Sequence, residues 1–298
     1  MNVELLIPVL LAATGPSAVL VLAAVGEILT EKSGVVNIGI EGMMLISGLA
    51  AAVTTHYTGS PWLGVLAAMC IGCILGLIHG AASAKLKANQ IVLGIGLNMF
   101  AVGLAVAVLI AVWGNPGHSS PLPRIPVLNV GGYPFNPFFL LAVGASIAAH
   151  YILTRTGLGL TIASCGENPR SAEAMGVRVE LVQTLVTGLA GLLHGLAGAI
   201  LVLGYVGSFT RDITAGRGFV ALAIVVVSNW NPLAALVAGY LFGTAEILAL
   251  TLQAAYSTTP GISELLNTIP YIAAIAAVAL YGVKARAPSW LGKPYIKE

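Results

Sequence analysis

Charge is what this 298-residue sequence has least of: 8% of its residues are Asp, Glu, Lys or Arg, against about 25% in a soluble domain. Apolar residues make up 58% and the mean hydropathy is +0.96, so there is too little charge to cover a water-facing surface and an ordinary cytosolic enzyme is excluded. A net charge of +2, spread along the chain, excludes a nucleic-acid-binding surface. Aspartate occurs once, as Asp212, which leaves a metal cage or a carboxylate-driven hydrolase without ligands. Three cysteines give no disulfide framework, and Cys70-x-x-Cys73 sits in an apolar run without polar flanks. That pair is expected to pack on one buried helix face rather than to bind metal. Also missing are G-x-x-x-x-G-K-[ST], G-x-S-x-G and H-E-x-x-H, so neither catalytic nor metal-binding residues are expected. His79 and His194, alone in apolar runs, read as interhelical hydrogen-bonders. No basic segment precedes the first apolar run, which therefore reads as an anchor rather than a cleaved signal peptide.

What is present is a series of apolar tracts, over residues 5–29, 35–57, 61–83, 89–112, 138–153, 181–205, 217–230, 233–253 and 269–283. A spanning helix needs about 20 apolar residues. The expectation is therefore an all-α polytopic membrane protein of about nine to ten transmembrane helices, filling 1–298 as a single domain. Alternating sides at each tract puts Lys32, Lys85, Lys87, Arg155, Arg170, Arg178, Lys284, Arg286, Lys293 and Lys297 on one side. The positive-inside rule makes that side the cytoplasm, with the N-terminus outside and the C-terminus inside. Only Arg124, Arg211 and Arg217 fall elsewhere.

Two loops exceed a turn. The outer one, 113–137, holds Pro116, Pro121, Pro123, Pro126, Pro134 and Pro137, and predicts a stiff extended cover. The inner one, 154–180, carries a helix signature: Asn168 as N-cap, Pro169 at the first position and Gly176 as the stop. Small residues at helical spacing, Gly72/Gly76/Gly80, Gly191/Gly195 and Gly239/Gly243, predict close helix packing. A weak repeat relates Gly34–Asn98 to Gly216–Gly282, and the predicted sidedness inverts one copy relative to the other, a common transporter plan.

Polar residues inside the apolar tracts are the candidates for a path. Around Asn37 and Glu41 glycines interrupt what would otherwise be a plain span, and an intramembrane carboxylate faces either a cavity or a structural partner. Arg217, between two glycines, precedes an apolar run too short to span, which suggests a half-helix whose positive end points into the membrane. Asn98, Tyr205, Trp230 and Glu246 are further candidates. As substrate-path residues the sequence nominates Asn37, Glu41, Asn98, Arg217 and Glu246.

Taken in order, Gly26-Glu27 with Glu31 to Leu45, Gly166 to Val177, Gly216 to Ala223, Trp230-Asn231-Pro232-Leu233 and Leu266 to Tyr271 resemble the motifs of ATP-binding cassette (ABC) importer permeases of the nucleoside and simple-sugar branch. One departure is Ser228-Asn229 before Trp230, where relatives usually carry a glycine and a basic or polar residue. The resemblance implies a type II importer fold in a bacterial inner membrane. It also implies partner ATPase subunits that hold ATP and Mg, a second permease subunit of generally different sequence, and an extracytoplasmic substrate-binding protein. The permease itself would carry no cofactor. By the same resemblance Asn168, Pro169, Arg170, Ala172, Met175 and Gly176 form the ATPase-coupling segment, Ala172 and Met175 sharing one face as an apolar knob. The implied activity is nucleoside uptake by alternating access. The alternatives are uptake of simple sugars or an ion-coupled secondary carrier.

Overall fold

The computed structural model describes residues 3–255, 265–266, 268–282 and 285–296. Residues 261–264 and Asn267 of the second repeat copy, together with Lys284 and Lys297, lie outside the described residues. Each apolar tract is helical over most of its described residues, with 35–39 the main exception. The first breaks at Ala13 into α1 (Val3–Ala12) and α2 (Thr14–Lys32). There follow α3 (Ile40–Thr58), α4 (Pro61–Ala84), α5 (Gln90–Trp113), α6 (Phe138–Arg155), α7 (Gly157–Glu167) and α8 (Pro169–Ala174). Then come α9 (Val179–Ala199), which runs on as a π-helix over Ile200–Val206, α10 (Arg217–Val227), α11 (Pro232–Ala255) and α12 (Ile269–Tyr281).

Six of these are long and apolar enough to cross a membrane: α2, α4, α5, α6, α9 with its π continuation, and α11. α10, with 11 residues, rises about 16 Å, roughly half of a ~30 Å hydrocarbon core. It is a half-helix, as its short apolar run predicts.

α2 forms the centre. Its residues from Thr14 to Glu31 are all buried, which a helix apolar on every side requires. α9, α11, α6 and α10 surround it. The glycine ridges act where predicted: a Cβ on Gly72 would fall on the Gly191 carbonyl, and one on Gly243 would fall on Ser17 of α2. With no hydrophobic drive between helices in lipid, such backbone approach supplies the dispersion that holds α4 to α9. His194 Nε2 donates to Ala23 O of α2 at 3.2 Å, the interhelical role expected of it, whereas His79 Nε2 donates to Val36 O at 3.0 Å, in the non-helical stretch between α2 and α3. The cysteine expectation needs correction. Cys70 is exposed and Cys73 half-buried, because the glycines of α4, not its cysteines, face α9. Among the described residues no group of His, Cys, Asp and Glu is placed to hold a metal.

The proline-rich loop is extended, with a small hairpin of β1 (Leu128–Val130) and β2 (Tyr133–Phe135). It lies along the end of α9, Ser119 N donating to Phe209 O at 2.8 Å and Leu122 N to Gly207 O at 2.9 Å. The last carbonyls of a helix have no intrahelical donor, and the loop answers them. Ile125 N reaches Leu203 O at 3.0 Å, Asn136 Nδ2 reaches Gly204 O at 3.0 Å, and Arg124 reaches Val206 O.

Candidate functional site

Between α2 and α3 the chain turns at Gly34, whose φ of +95° suits glycine, and returns alongside α2 without helical bonds. Irregular backbone inside a membrane protein must have its polar groups satisfied. Here Val36 N donates to Gln90 Oε1 at 2.7 Å, Asn37 N to Glu27 Oε1 at 2.9 Å, and Gly39 N to the Asn37 side chain at 3.0 Å. Asn98 closes the stretch from α5, donating to Ile38 O at 3.0 Å and accepting from Gly42 N at 2.8 Å, so that it caps α3.

The start of α10 is built the same way from the other repeat copy. Tyr271 on α12 donates its hydroxyl to Ala215 O at 2.6 Å. Ala215 stands two residues before α10, just as Ile38 stands two before α3. Glu41 then joins the two copies: its carboxylate accepts from Gly216 N at 2.7 Å and Gly218 N at 2.6 Å. A carboxylate on two orphan N–H groups at a positive helix end is a strong N-cap. Of the two roles open to Glu41 in sequence, the structural one is therefore filled. A Cβ on Gly218 would meet Glu41, so glycine is required for the approach.

Arg217 leaves this junction on the opposite side. Its guanidinium pairs with Glu246 of α11 at 2.5 Å and donates to Ile213 O and Thr214 O at 3.1 and 3.3 Å. The pair borders a cavity of about 470 Å³ that Tyr205, Phe242 and Tyr271 also line. A second cavity, of about 360 Å³, is lined by Glu41, Asn98, Arg211 and Asp212, and Ala215 borders both. The five nominated path residues therefore divide. Arg217 and Glu246 share one cavity, Glu41 and Asn98 share the other, and Asn37 is fully buried in its turn and lines neither. Trp230, at the far end of α10, is buried and donates Nε1–H to Glu31 Oε2. The turn that holds it has both Asn229 and Trp230 in the left-handed region, φ +51° and +55°, whereas Ser228, which stands where the family pattern has a glycine, keeps a right-handed φ of −78°. Phe242 and Tyr271 are site residues that the sequence reasoning does not nominate. The repeat could have pointed to Tyr271, since it stands where Asn98 stands in the other copy.

The coupling segment forms as its sequence signals. Asn168 caps α8 by accepting from Ser171 N at 3.1 Å, Pro169 is the first helical residue, and Gly176, φ +87°, ends the turn. Ala172 and Met175 do not form a common outward knob. Ala172 is only 4% exposed and packs against Cys165, Val179 and Tyr295, whereas Met175, just past the helix, is 85% exposed. The three-residue spacing fails because the helix ends between them. Burial pushes the Cys165 thiol, at the end of α7, up to about 11.

A family model described as "Branched-chain amino acid transport system / permease component" matches residues 9–280. The chain is 33% identical to the guanosine ABC transporter permease protein NupQ of Bacillus subtilis, over 99% of this chain and 97% of the relative. It is 34% identical to the nucleoside ABC transporter permease protein NupC of Lactococcus lactis, over 94% of each. It is also 33% identical to the putative glucose ABC transporter permease protein TsgC13 of Haloferax volcanii, over 97% of this chain and 98% of the relative.

Proposed function

Because the chain belongs to the branched-chain amino acid transport system permease family, in its nucleoside and simple-sugar ABC branch, we propose that it carries nucleosides inward across a bacterial cytoplasmic membrane. It is the membrane-spanning permease subunit of an ABC importer and not an enzyme; ATP hydrolysis lies in a separate subunit.

The observation that carries the nucleoside reading is the cavity beside α10. Tyr205, Phe242 and Tyr271 present ring surface for a planar base. The Arg217–Glu246 pair presents a carboxylate that accepts from sugar hydroxyls and a guanidinium that donates to ring oxygens or nitrogens. A volume of about 470 Å³ suits a ligand of nucleoside size. Relatives named for guanosine and for nucleosides point the same way. A simple sugar would use the carboxylate but carries no planar base to lie against the aromatic walls.

In this mechanism a substrate-binding protein docks on the outer face, formed by the 113–137 loop, and delivers substrate between this chain and a second permease subunit. Closure of two ATPase subunits around ATP and Mg pushes the segment 168–176 from the cytoplasm. The bundle then rocks between outward-open and inward-open states. Met175 is the contact that meets the ATPase. Glu41 and Asn98 hold the two helix starts in register during that movement, and Arg217 and Glu246 face the substrate.

Uptake in proteoliposomes holding the whole complex tests the reading. ATP-dependent guanosine uptake is expected, falling at least tenfold in Tyr271→Ala, with glucose failing to compete. Guanosine-insensitive glucose uptake would overturn the substrate, and uptake by this chain without ATPase subunits would overturn the mechanism.

A further inference from the structure

The last described stretch, residues 285–296, has no helix or strand of its own, yet it bonds to four separate parts of the bundle. Arg286 N donates to the Asn229 side chain at 2.7 Å, in the strained turn that ends α10. Ser289 donates to Glu167 Oε2 through its N at 3.2 Å and its Oγ at 2.7 Å, and Trp290 N donates to Gly166 O at 2.8 Å, both at the end of α7. Gly292 N donates to Gly34 O at 3.1 Å, on the turn between α2 and α3. Finally the Tyr295 hydroxyl donates to Glu173 of α8. The Tyr295 ring is 7% exposed, packs with Cys165, Ala172 and Val179, and has Lys87 Nζ 6.0 Å from its centre.

An irregular peptide of this length gains nothing from ordering unless its contacts offset the entropy of fixing it. Its contacts also have a pattern. Two go to turns at the ends of α3 and α10, the Gly34 turn that leads into α3 and the Asn229 turn that closes α10, and these are the two helices that Glu41 joins. The others go to the end of α7 and to α8, the helix of the coupling segment that follows it. α8 has six residues, too few to be a stable helix alone, so a push on it moves whatever holds it.

We propose that residues 285–296 are a transmission strap, with Tyr295 as its positioning residue. The strap makes the coupling helix, the Gly34 turn and the Asn229 turn move as one body when the ATPase pair closes. The proposal rests on the coupling role of segment 168–176 given above. Removing the strap's anchor therefore leaves ATP hydrolysis running while less of its work reaches the cavities.

The test uses the full reconstituted complex and reads substrate moved per ATP hydrolysed. Tyr295→Ala is expected to keep basal ATPase activity and to lower that ratio at least tenfold. Tyr295→Phe is expected to lower it about fivefold, the equivalent of one hydrogen bond. Should Tyr295→Ala not assemble, Tyr295→Phe and Ser289→Ala, which remove only hydroxyls, decide by the same ratio. A ratio equal to wild type in the assembled variants, even with reduced protein or reduced overall uptake, overturns the strap. Met175→Asp separates the two readings. It is expected to abolish substrate-stimulated ATPase activity, and wild-type stimulation there overturns the docking role of the coupling segment independently of the Tyr295 result.

Discussion

Replacing Glu41 by leucine removes both acceptors from the start of α10. In the native chain its two oxygens take Gly216 N at 2.7 Å and Gly218 N at 2.6 Å. Hydrogen bonds to an ionised group are worth about 1.5–3 kcal/mol each, and a carboxylate at a helix N-terminus adds roughly 0.3–1 kcal/mol. The Leu variant therefore loses on the order of 3–7 kcal/mol, a large share of a typical stability of about 5–15 kcal/mol. Glu41→Gln keeps one acceptor but turns an amide N–H₂ toward the other backbone donor, so it should lose about half of that. The assay is the thermal aggregation temperature of the purified complex, read beside uptake. Wild type should exceed Gln, and Gln should exceed Leu, in both measurements. A Leu variant as heat-stable as wild type refutes the capping argument. If such a variant also fails to transport, Glu41 is a substrate contact and nothing more.

Glu246→Gln leaves the Arg217 guanidinium half-buried without its anion, so uptake should fall at least tenfold, whereas Glu246→Asp should retain a measurable part; equal loss in both would mean that the charge is not what matters. In a cysteine-free background Ser171→Cys should label only from the cytoplasm and Ser120→Cys only from outside, both positions being exposed; labelling from one side would overturn the topology. With its thiol held up to about 11, Cys165 is roughly one part in a thousand thiolate at pH 8 and should resist maleimide until the protein is unfolded; rapid modification of the folded chain would show the end of α7 to be open.

The helices are legible in the sequence because lipid demands long apolar runs, and α8 because Asn168, Pro169 and Gly176 are local signals that act within a turn. The half-helix is legible too, from a run beginning at Arg217 that is too short to span. The partners of those elements are not. Nothing near Glu41 in sequence announces Gly216 and Gly218, which lie 175 and 177 residues away. Helical spacing gives Ala172 a face but does not say that the face is covered, and its cover, Tyr295, arrives from the far end of the chain. Cys70 and Cys73 defeat the expectation of burial for the converse reason: glycine, not the larger side chain, marks the packed face of a membrane helix. The polarity of Asn37, which suggests a path, serves instead a turn that no periodicity reveals.

The closeness of Arg217 to Glu246, 2.5 Å, has an electrical consequence. A membrane potential acts on any charge that changes depth, by about 2.3 kcal/mol per elementary charge per 100 mV. Two opposite charges held at contact and moving together are felt by that field only as a small dipole. The polar groups that face the cavity can thus change their access from one side to the other without doing work against the voltage. Through these two charges the cell's potential therefore neither assists nor opposes a change of access at the cavity.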